Sequence, residues 1–159
     1  MVKFSRDGVY LHEWGSFGNG PGEFNIPHGI DLDQYGNVYV ADRENNRIQK
    51  FDSEGNFISL WQNKTTDQLY SVTINHVNDQ LYGIDYLTRF FGTVIKGSDI
   101  FQFDLDLNLQ KQFGRTGNYK GPKSRYHDIA VDNSGNLYVG DIFGNKIQKF
   151  KTNKTIKSN

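Results

Sequence analysis

The stretch IDLDQYGNVYVAD at residues 30–42 recurs at residues 129–141 as IAVDNSGNLYVGD. The offset of 99 residues, from Ile30 to Ile129, continues without a gap into the stretch IQKF, which stands at 48–51 and again at 147–150. Matches of this length at one offset indicate that the chain is built from repeats.

A weaker copy of the same pattern lies between the two strong ones. Tyr39, Tyr82 and Tyr138 mark the three copies, at spacings of 43 and 56 residues. The offset of 99 residues therefore contains two repeats, and the second repeat carries an insertion around residues 86–98.

Apolar and polar side chains alternate with a period of two inside each copy, as they do along Val38, Tyr39 and Val40. This alternation is typical of β-strands, and no segment shows a convincing helical period. Gly-Asn pairs at 36–37 and 135–136 indicate tight turns between the strands. About four short antiparallel strands in a repeat of forty-odd residues are typical of a β-propeller blade. We therefore predict an all-β fold, a β-propeller of which about three four-stranded blades are present.

A second register accounts for the beginning of the chain. The stretch FSRDGVY at 4–10, followed by Trp14, matches FDSEGNF at 51–57, followed by Trp61. We therefore predict a partial propeller over residues 1–150, with part of a blade at 1–16, blades at about 17–61, 62–113 and 114–150, and a polar tail at 151–159.

Composition excludes several classes of protein. The 159 residues include 18 Lys plus Arg and 18 Asp plus Glu, so the net charge of zero gives no electrostatic footprint for a nucleic acid, and no nucleic-acid partner is expected. The absence of Cys excludes disulfides and thiolate metal sites. We expect no membrane span, because no apolar run approaches the ~20 residues that one needs. The N-terminal residues MVKFSRDG show no apolar region of a signal peptide.

Two family resemblances follow from these repeats. The segment from Pro27 to Phe51 resembles the NHL repeat, with Pro-x-Gly-Ile, Gly-Asn-x-Tyr-Val-Ala-Asp and Asn-Asn-Arg-Ile-Gln-x-Phe in order. NHL repeats build six-bladed propellers, so this resemblance implies that half of such a propeller is present. A narrower resemblance, from about Phe4 to Phe150, is to the peptidyl-α-hydroxyglycine α-amidating lyases. It rests on Pro-His-Gly at 27–29, Ala-Asp-Arg-Glu-Asn at 41–45 and His-Asp-Ile at 127–129.

The narrower resemblance implies an activity and a set of site residues. These lyases (peptidylamidoglycolate lyases) cleave a peptide with a C-terminal α-hydroxyglycine to a peptide amide and glyoxylate, with a zinc in the central cavity and a calcium deeper on the axis. By resemblance, His28 and His127 are two of three zinc ligands, Asp128 is the calcium carboxylate, and Arg43 is an active-site residue that faces the substrate. The resemblance also implies an extracellular or secretory location.

Elementary geometry agrees with this assignment. The innermost strand of each blade begins near the propeller axis, so equivalent residues of different blades converge there. Imidazoles from such positions suit a three-His zinc site with one open position, where zinc acts as a Lewis acid. Arg43 would pair with a carboxylate or with developing negative charge.

The chain also departs from the lyase pattern. The resemblance places the third zinc His and a catalytic Tyr in blades that would precede Met1. Arg125 and Tyr126 stand where the lyases have Met and Pro. We therefore expect the chain to be a fragment, or a half that pairs with a missing half-propeller or with a second copy, and we expect lyase activity only from the complete propeller.

A second functional hypothesis stays open beside the enzyme. Asp42, Asp85 and Asp141 recur in every repeat, which predicts a structural role in hydrogen bonding within the blade. Arg43 does not recur, since Ile142 is its counterpart; this favours a functional role, although exposed loop arginines are common. The alternative is a non-catalytic NHL-repeat propeller segment that acts as a protein-interaction module.

Overall fold

The computed structural model describes residues 1–62, 68–86, 88–90, 93–114 and 124–151, with side chains for all of these except 88–90 and 93–96. Within these ranges the chain forms strands and turns and no helix. The strands are β1 Val2–Phe4, β2 Tyr10–Glu13, β3 Pro27–Leu32, β4 Val38–Asp42, β5 Arg47–Phe51, β6 Phe57–Gln62, β7 Leu69–Asn75, β8 Gln80–Asp85, β9 Thr88–Phe90, β10 Thr93–Lys96, β11 Asp99–Asp104, β12 Leu109–Gly114, β13 Tyr126–Val131, β14 Leu137–Asp141 and β15 Lys146–Phe150. The described part of the chain offers no helix with the length and hydropathy to cross a bilayer.

Three antiparallel sheets correspond to the three repeats. Blade 1 has the strand order β3-β4-β5-β6, blade 2 has β7-β8-β11-β12, and blade 3 has β13-β14-β15. Four strands are confirmed in blades 1 and 2, whereas the described residues of blade 3 form three. The insertion in the second repeat folds as a separate hairpin, β9 with β10, between the second and third strands of blade 2.

The hairpin at the beginning of the chain copies the outer edge of a blade. In blade 1 the register between the two outer strands shifts just before Phe51, which pairs with Phe57. The pairing of Phe4 with Tyr10 between β1 and β2 follows the same kind of shift. The β1–β2 hairpin therefore has the geometry of the third and fourth strands of a blade, as the sequence match predicts.

Each pair of neighbouring sheets encloses its own apolar cluster. Between blades 1 and 2 the buried residues include Tyr39, Ile48 and Phe103. Between blades 2 and 3 they include Tyr82 and Tyr126. A smaller cluster joins the β1–β2 hairpin to blade 1. Because the faces of the sheets pack against each other, the strands stack around a common axis, and their innermost members are adjacent.

The recurring aspartates end the second strand of each blade and bind the backbone of neighbouring segments. Asp42 is fully buried and accepts hydrogen bonds from the Asn25 amide at 2.7 Å and from Arg47 Nε at 2.8 Å. Asp85 accepts a hydrogen bond from the Asp99 amide at 2.6 Å. Asp141 accepts one from the Arg125 amide at 3.1 Å. The predicted structural role of these residues is confirmed.

A second recurring aspartate organises the tight turns. Oδ1 of Asp132 accepts hydrogen bonds from the amides of Ser134 and Asn136, both at 2.9 Å. The Asn136 side chain and the Tyr138 hydroxyl donate to Oδ2 at 2.8 and 3.0 Å. These bonds satisfy the backbone of a turn whose residue Gly135 has a positive φ.

These bonds predict a pH dependence. The Asn136 side chain and the turn amides lower the pKa of Asp132 from its ordinary 3.8 to about 2. A carboxyl with a depressed folded-state pKa contributes stability that is complete above the unfolded pKa and is lost as the pH falls from 3.8 toward 2. An NMR titration of the Asp132 carboxyl carbon should therefore find a midpoint near 2, and Asn136→Ala should move it upward. A midpoint near 3.8 in the unmodified chain would contradict the turn geometry.

Candidate functional site

The innermost strands β3, β7 and β13 run side by side and line a cavity of about 500 Å³. Its walls include His28 and Gly29 from blade 1, Ser71 from blade 2, and His127 and Asp128 from blade 3. Three of the four site residues expected from the sequence thus meet in one cavity, although they come from blades far apart in the chain.

A β-bulge at the same point of every blade selects the residue that projects here. The register between the first two strands shifts at His28 in blade 1, at Tyr70 in blade 2 and at His127 in blade 3. A bulge leaves its extra residue outside the strand pairing and re-aims the side chain. His28, Tyr70 and His127 are therefore equivalent residues of three consecutive blades, and their rings meet. The Tyr70 centroid lies 4.6 Å from that of His28 and 5.3 Å from that of His127.

The two histidines lie close enough together to share a metal ion. Their ring centroids are 5.5 Å apart, and the rings are nearly perpendicular at 81°. Two imidazoles on one tetrahedral zinc, each with a Zn–N distance of about 2.0 Å, place their centroids about 5 Å apart. The donor type and the spacing of the pair both fit zinc.

The tautomer of His28 is fixed by the neighbouring blade. Its Nδ1 lies 2.8 Å from the backbone carbonyl oxygen of Tyr70. Because a carbonyl oxygen only accepts, Nδ1 must carry the proton and donate it. In the neutral ring Nε2 then keeps its lone pair, which is the arrangement that a backbone carbonyl gives to metal-binding histidines.

Asp128 follows His127 on β13 and is exposed at the cavity. Its Oδ1 accepts hydrogen bonds from the Ser71 hydroxyl at 2.7 Å and from the Ile129 amide at 2.9 Å. Its Oδ2 makes no hydrogen bond to any residue that the structure describes. A carboxylate held by one oxygen with the other available suits a hard cation such as calcium, for which this chain would provide one ligand.

Arg43 lies beside the cavity rather than in its wall. Its guanidinium is 5.3 Å from the centre of the Tyr70 ring. It is also engaged with its neighbour, since Nη2 and Nε lie 2.8 and 2.9 Å from Glu44 Oε1. Gln68 donates to both oxygens of the same Glu44 at 2.9 Å. The structure thus brings Arg43 to the aromatic residue between the two histidines, but its charge is paired with Glu44.

The sequence analysis did not identify the aromatic part of the site. Tyr70 stacks on Tyr86 with a centroid distance of 4.4 Å and an interplanar angle of 13°. The Arg125 guanidinium lies over the Tyr86 ring at 4.0 Å. Repeat position identifies Tyr70 only after the bulge is known, and neither Tyr86 nor Arg125 has a counterpart of the same type in the other repeats.

The described ranges hold no group of three or more His, Cys, Asp or Glu side chains that could bind a metal ion by itself. His28 and His127 therefore form a two-residue donor set, fewer than the three protein ligands of a catalytic zinc site.

Comparisons with known proteins agree with the blade geometry. Residues 24–51 match the family described as NHL repeat. The chain is 45% identical over 69 residues to human NHL repeat-containing protein 3, covering 43% of this chain and 20% of that protein. It is 29% identical to peptidyl-glycine alpha-amidating monooxygenase A of Xenopus laevis, covering 97% of this chain and 17% of that protein. The chain thus spans about a fifth of the length of these curated relatives.

A solved structure supports the fold independently. Virginiamycin B lyase from Staphylococcus aureus, a β-propeller, superimposes with a TM-score of 0.56 at 17% identity, covering 80% of this chain and 42% of that one. At this identity the likeness concerns the fold. Together these findings show that the chain has a β-propeller fold, contains an NHL repeat at residues 24–51, and is similar in sequence over nearly its whole length to the peptidylglycine alpha-amidating monooxygenases.

Proposed function

We propose that this chain supplies part of the active site of a zinc-dependent lyase that converts a peptidyl-α-hydroxyglycine to a peptide amide and glyoxylate. The observation that carries the proposal is the His28–His127 pair, 5.5 Å between ring centroids, with Nδ1 of His28 bonded to the Tyr70 carbonyl. The sequence similarity to amidating monooxygenases over 97% of the chain supports it.

His28 and His127 would hold the metal through ring nitrogens, with at least one further ligand from outside the described residues. When bound, zinc supplies Lewis-acid stabilisation of an oxygen anion at a position left open by the protein. The chain's own contribution is to keep His28 in the metal-binding tautomer before the metal arrives, because its Nδ1 donates to the Tyr70 carbonyl at the bulge of blade 2.

The reaction needs the carbinol hydroxyl to lose its proton while its carbon forms a C=O bond. The C–N bond breaks, its electron pair stays on nitrogen, and nitrogen takes up a proton to become the amide. Arg43 lies over the edge of the site and would attract the carboxylate end of the substrate. Tyr70, which is 7% exposed and contacts both histidine rings, would limit the access of water from that side.

Zinc-linked stability provides the first test. Adding zinc should raise the thermal unfolding temperature of the chain, because a ligand that binds only the folded state stabilises it. His28→Ala and His127→Ala should each abolish this rise. His76→Ala is the matched control, since His76 is also exposed but follows β7 at its far end, away from the pair. If zinc changed the unfolding temperature equally in the unmodified chain and in the three variants, His28 and His127 would not be its ligands.

Turnover provides the second test. Glyoxylate release from a benzoyl-glycyl-α-hydroxyglycine substrate should require zinc and both histidines, in the chain together with whatever partner completes the propeller. Zinc binding without glyoxylate release in a closed six-bladed assembly would contradict the lyase assignment.

The second candidate function is a protein-interaction segment without catalysis. It is favoured by the similarity to NHL repeat-containing protein 3, which reaches 45% identity over 69 residues. This candidate predicts that chelating or adding zinc leaves the unfolding temperature unchanged. The zinc-linked unfolding experiment described above therefore separates the two candidate functions.

A further inference from the structure

A column of planar groups leads away from the histidine pair. The Tyr70 ring contacts both His28 and His127, and Tyr86 stacks on Tyr70 at 4.4 Å. Since Tyr70 covers one face of Tyr86, the Arg125 guanidinium, 4.0 Å from the ring centre, occupies the opposite face. Arg125 thus follows Tyr86 in a column whose inner end is the histidine pair, and its guanidinium also lies 5.6 Å from the centre of the Phe143 ring.

Arg125 differs from Arg43 in its charge partner. Arg43 is paired with Glu44 at 2.8 Å. Arg125 makes no ion pair to any residue that the structure describes, and its buried Nε has no hydrogen-bond partner there. The Arg125 carbonyl accepts a hydrogen bond from the Ile142 amide, and the Arg125 amide donates one to Asp141 Oδ1. These bonds hold the backbone in place and leave the guanidinium available to a ligand. A guanidinium that lies over an aromatic ring and makes no ion pair with the described residues is suited to bind a carboxylate.

The segments that follow Tyr86 and precede Arg125 in the sequence are positively charged, as Arg125 is. Residues 87–98 and 115–124 contain Arg89, Lys96, Arg115, Lys120 and Lys123 and no Asp or Glu. The residues that flank these segments meet at this end of the blades, since the Ser98 amide donates to the Ser124 carbonyl at 3.0 Å and the Tyr126 amide donates to the Ser98 hydroxyl at 2.9 Å. The sequence before Arg125 and after Tyr86 is therefore rich in positive charge, whereas the nearest described carboxylate, that of Asp141, is bonded to the Arg125 amide.

The length of the column matches a short peptide. The guanidinium lies two stacking distances, 4.0 and 4.4 Å, beyond Tyr70, which itself contacts the histidines. With the 4.6 Å between His28 and Tyr70 included, the column measures at most about 13 Å. An extended peptide covers that span in three to four residues at roughly 3.3 Å each, and an acidic side chain can supply the last part of it. A peptide whose terminal residue lies at the histidine pair would therefore bring a side chain two or three residues upstream to Arg125.

We propose that Arg125 is a specificity-determining residue and that the site prefers peptides with an acidic side chain two or three residues before the terminal α-hydroxyglycine. This proposal rests on the proposed lyase function for the position of the terminal residue. A nucleic acid is the less suitable ligand, because both faces of Tyr86 are covered and offer no platform on which a base could stack.

The test measures binding and turnover separately. The binding probes are acetyl-Glu-Ala-Phe-Gly and acetyl-Gln-Ala-Phe-Gly, which lack the reactive hydroxyl, together with the same pair shifted by one residue. Isothermal titration at low salt should show at least one glutamate peptide binding about tenfold tighter than its glutamine partner. The preference should shrink as salt is added, because Arg125 is only half-buried.

Variants assign the preference to Arg125. Arg125→Met installs the residue type that the amidating lyases have here and should abolish the preference, while Arg125→Lys should retain part of it. Lys111→Met is the matched control, because Lys111 also lies over an aromatic ring, Phe113 at 5.5 Å, but on the exposed outer strand β12. Thermal unfolding of each variant would confirm that it is folded.

Three outcomes would overturn the proposal: equal affinity for the glutamate and glutamine peptides, a preference that survives Arg125→Met, or a preference lost equally in Lys111→Met. Tighter binding of a ten-nucleotide oligouridylate than of either peptide, lost in Arg125→Met, would assign the column to nucleic acid and also overturn it. Glyoxylate release is assayed with the corresponding α-hydroxyglycine peptides. In the assembly that completes the propeller, a charge preference in binding without any release would contradict only the lyase, and release without a charge preference would contradict only the acidic subsite.

Discussion

Asp42→Ala should lower the free energy of unfolding by about 3–5 kcal/mol, because it leaves the buried Arg47 guanidinium without its counter-ion. Asp42 is fully buried, and Arg47 is 4% exposed, with 2.8 Å between Arg47 Nε and Asp42 Oδ2. The same carboxylate accepts a hydrogen bond from the Asn45 side chain at 2.8 Å and one from the Asn25 amide at 2.7 Å. Chemical denaturation monitored by tryptophan fluorescence measures the loss.

The matched control is Asp141→Ala, the same repeat position in blade 3. Asp141 is also buried, but its repeat partner Lys146 is exposed and makes no ion pair with it in the described structure. Its bonds come from neutral donors, the Gln148 side chain at 2.8 Å and the Gly144 amide at 3.1 Å. We expect a loss of about 1–2 kcal/mol there. Equal losses at the two positions would show that the buried charge pair adds nothing to the shared hydrogen bonds.

Gly29→Ala should destabilise the chain by about 3 kcal/mol, at the upper end of the usual cost of overpacking. A Cβ on Gly29 would lie 2.6 Å from Ser71 Cα, 3.0 Å from the Tyr70 carbonyl oxygen and 3.1 Å from the Val72 nitrogen. All three atoms belong to the backbone of blade 2, which cannot rotate away as a side chain would. The two innermost strands must separate, and the hydrogen bond from His28 Nδ1 to Tyr70 should weaken with them.

Two measurements check this prediction. Denaturation gives the loss of stability, and the nitrogen shifts of His28 report whether Nδ1 still carries the proton. Gly140→Ala is the control, because a Cβ on Gly140 would meet nothing closer than 3.9 Å and the strand conformation accepts alanine. Its stability should change by less than about 0.5 kcal/mol. A Gly29→Ala protein as stable as the control would contradict the close packing of blades 1 and 2.

The fold was predictable because the residue pattern that specifies it recurs along the chain. Tyr39 and Tyr138 occupy the same place in their repeats, and the alternation around them predicts strands without knowledge of any partner. Equivalent residues of successive blades must then lie near one axis, which is why the meeting of His28 with His127 followed from their spacing. The close approach that makes Gly29 necessary involves the next blade, so the repeat pattern alone does not show it.

The aromatic column was not predictable for a different physical reason. Whether Tyr70 or its neighbour Leu69 contacts the two histidines depends on a bulge, and a bulge is a property of the pairing between two strands rather than of residue type. Tyr86 and Arg125 are 39 residues apart and meet only because blades 2 and 3 stack. Contacts between unlike residues across a blade interface leave no periodic signal in one sequence.

The repeated bulge has a consequence for how such a protein can change over evolutionary time. The bulged residue makes no ladder pair with the adjacent strand, and in blades 1 and 3 it is exposed at the cavity, so its identity is free of the constraints that act on Asp42 or Tyr39. Each duplicated blade therefore carries one position at which a mutation alters chemistry while the fold is conserved. That position holds histidine, tyrosine and histidine in three successive blades, so descendants of one ancestral repeat can change the chemistry of the cavity by substitutions there.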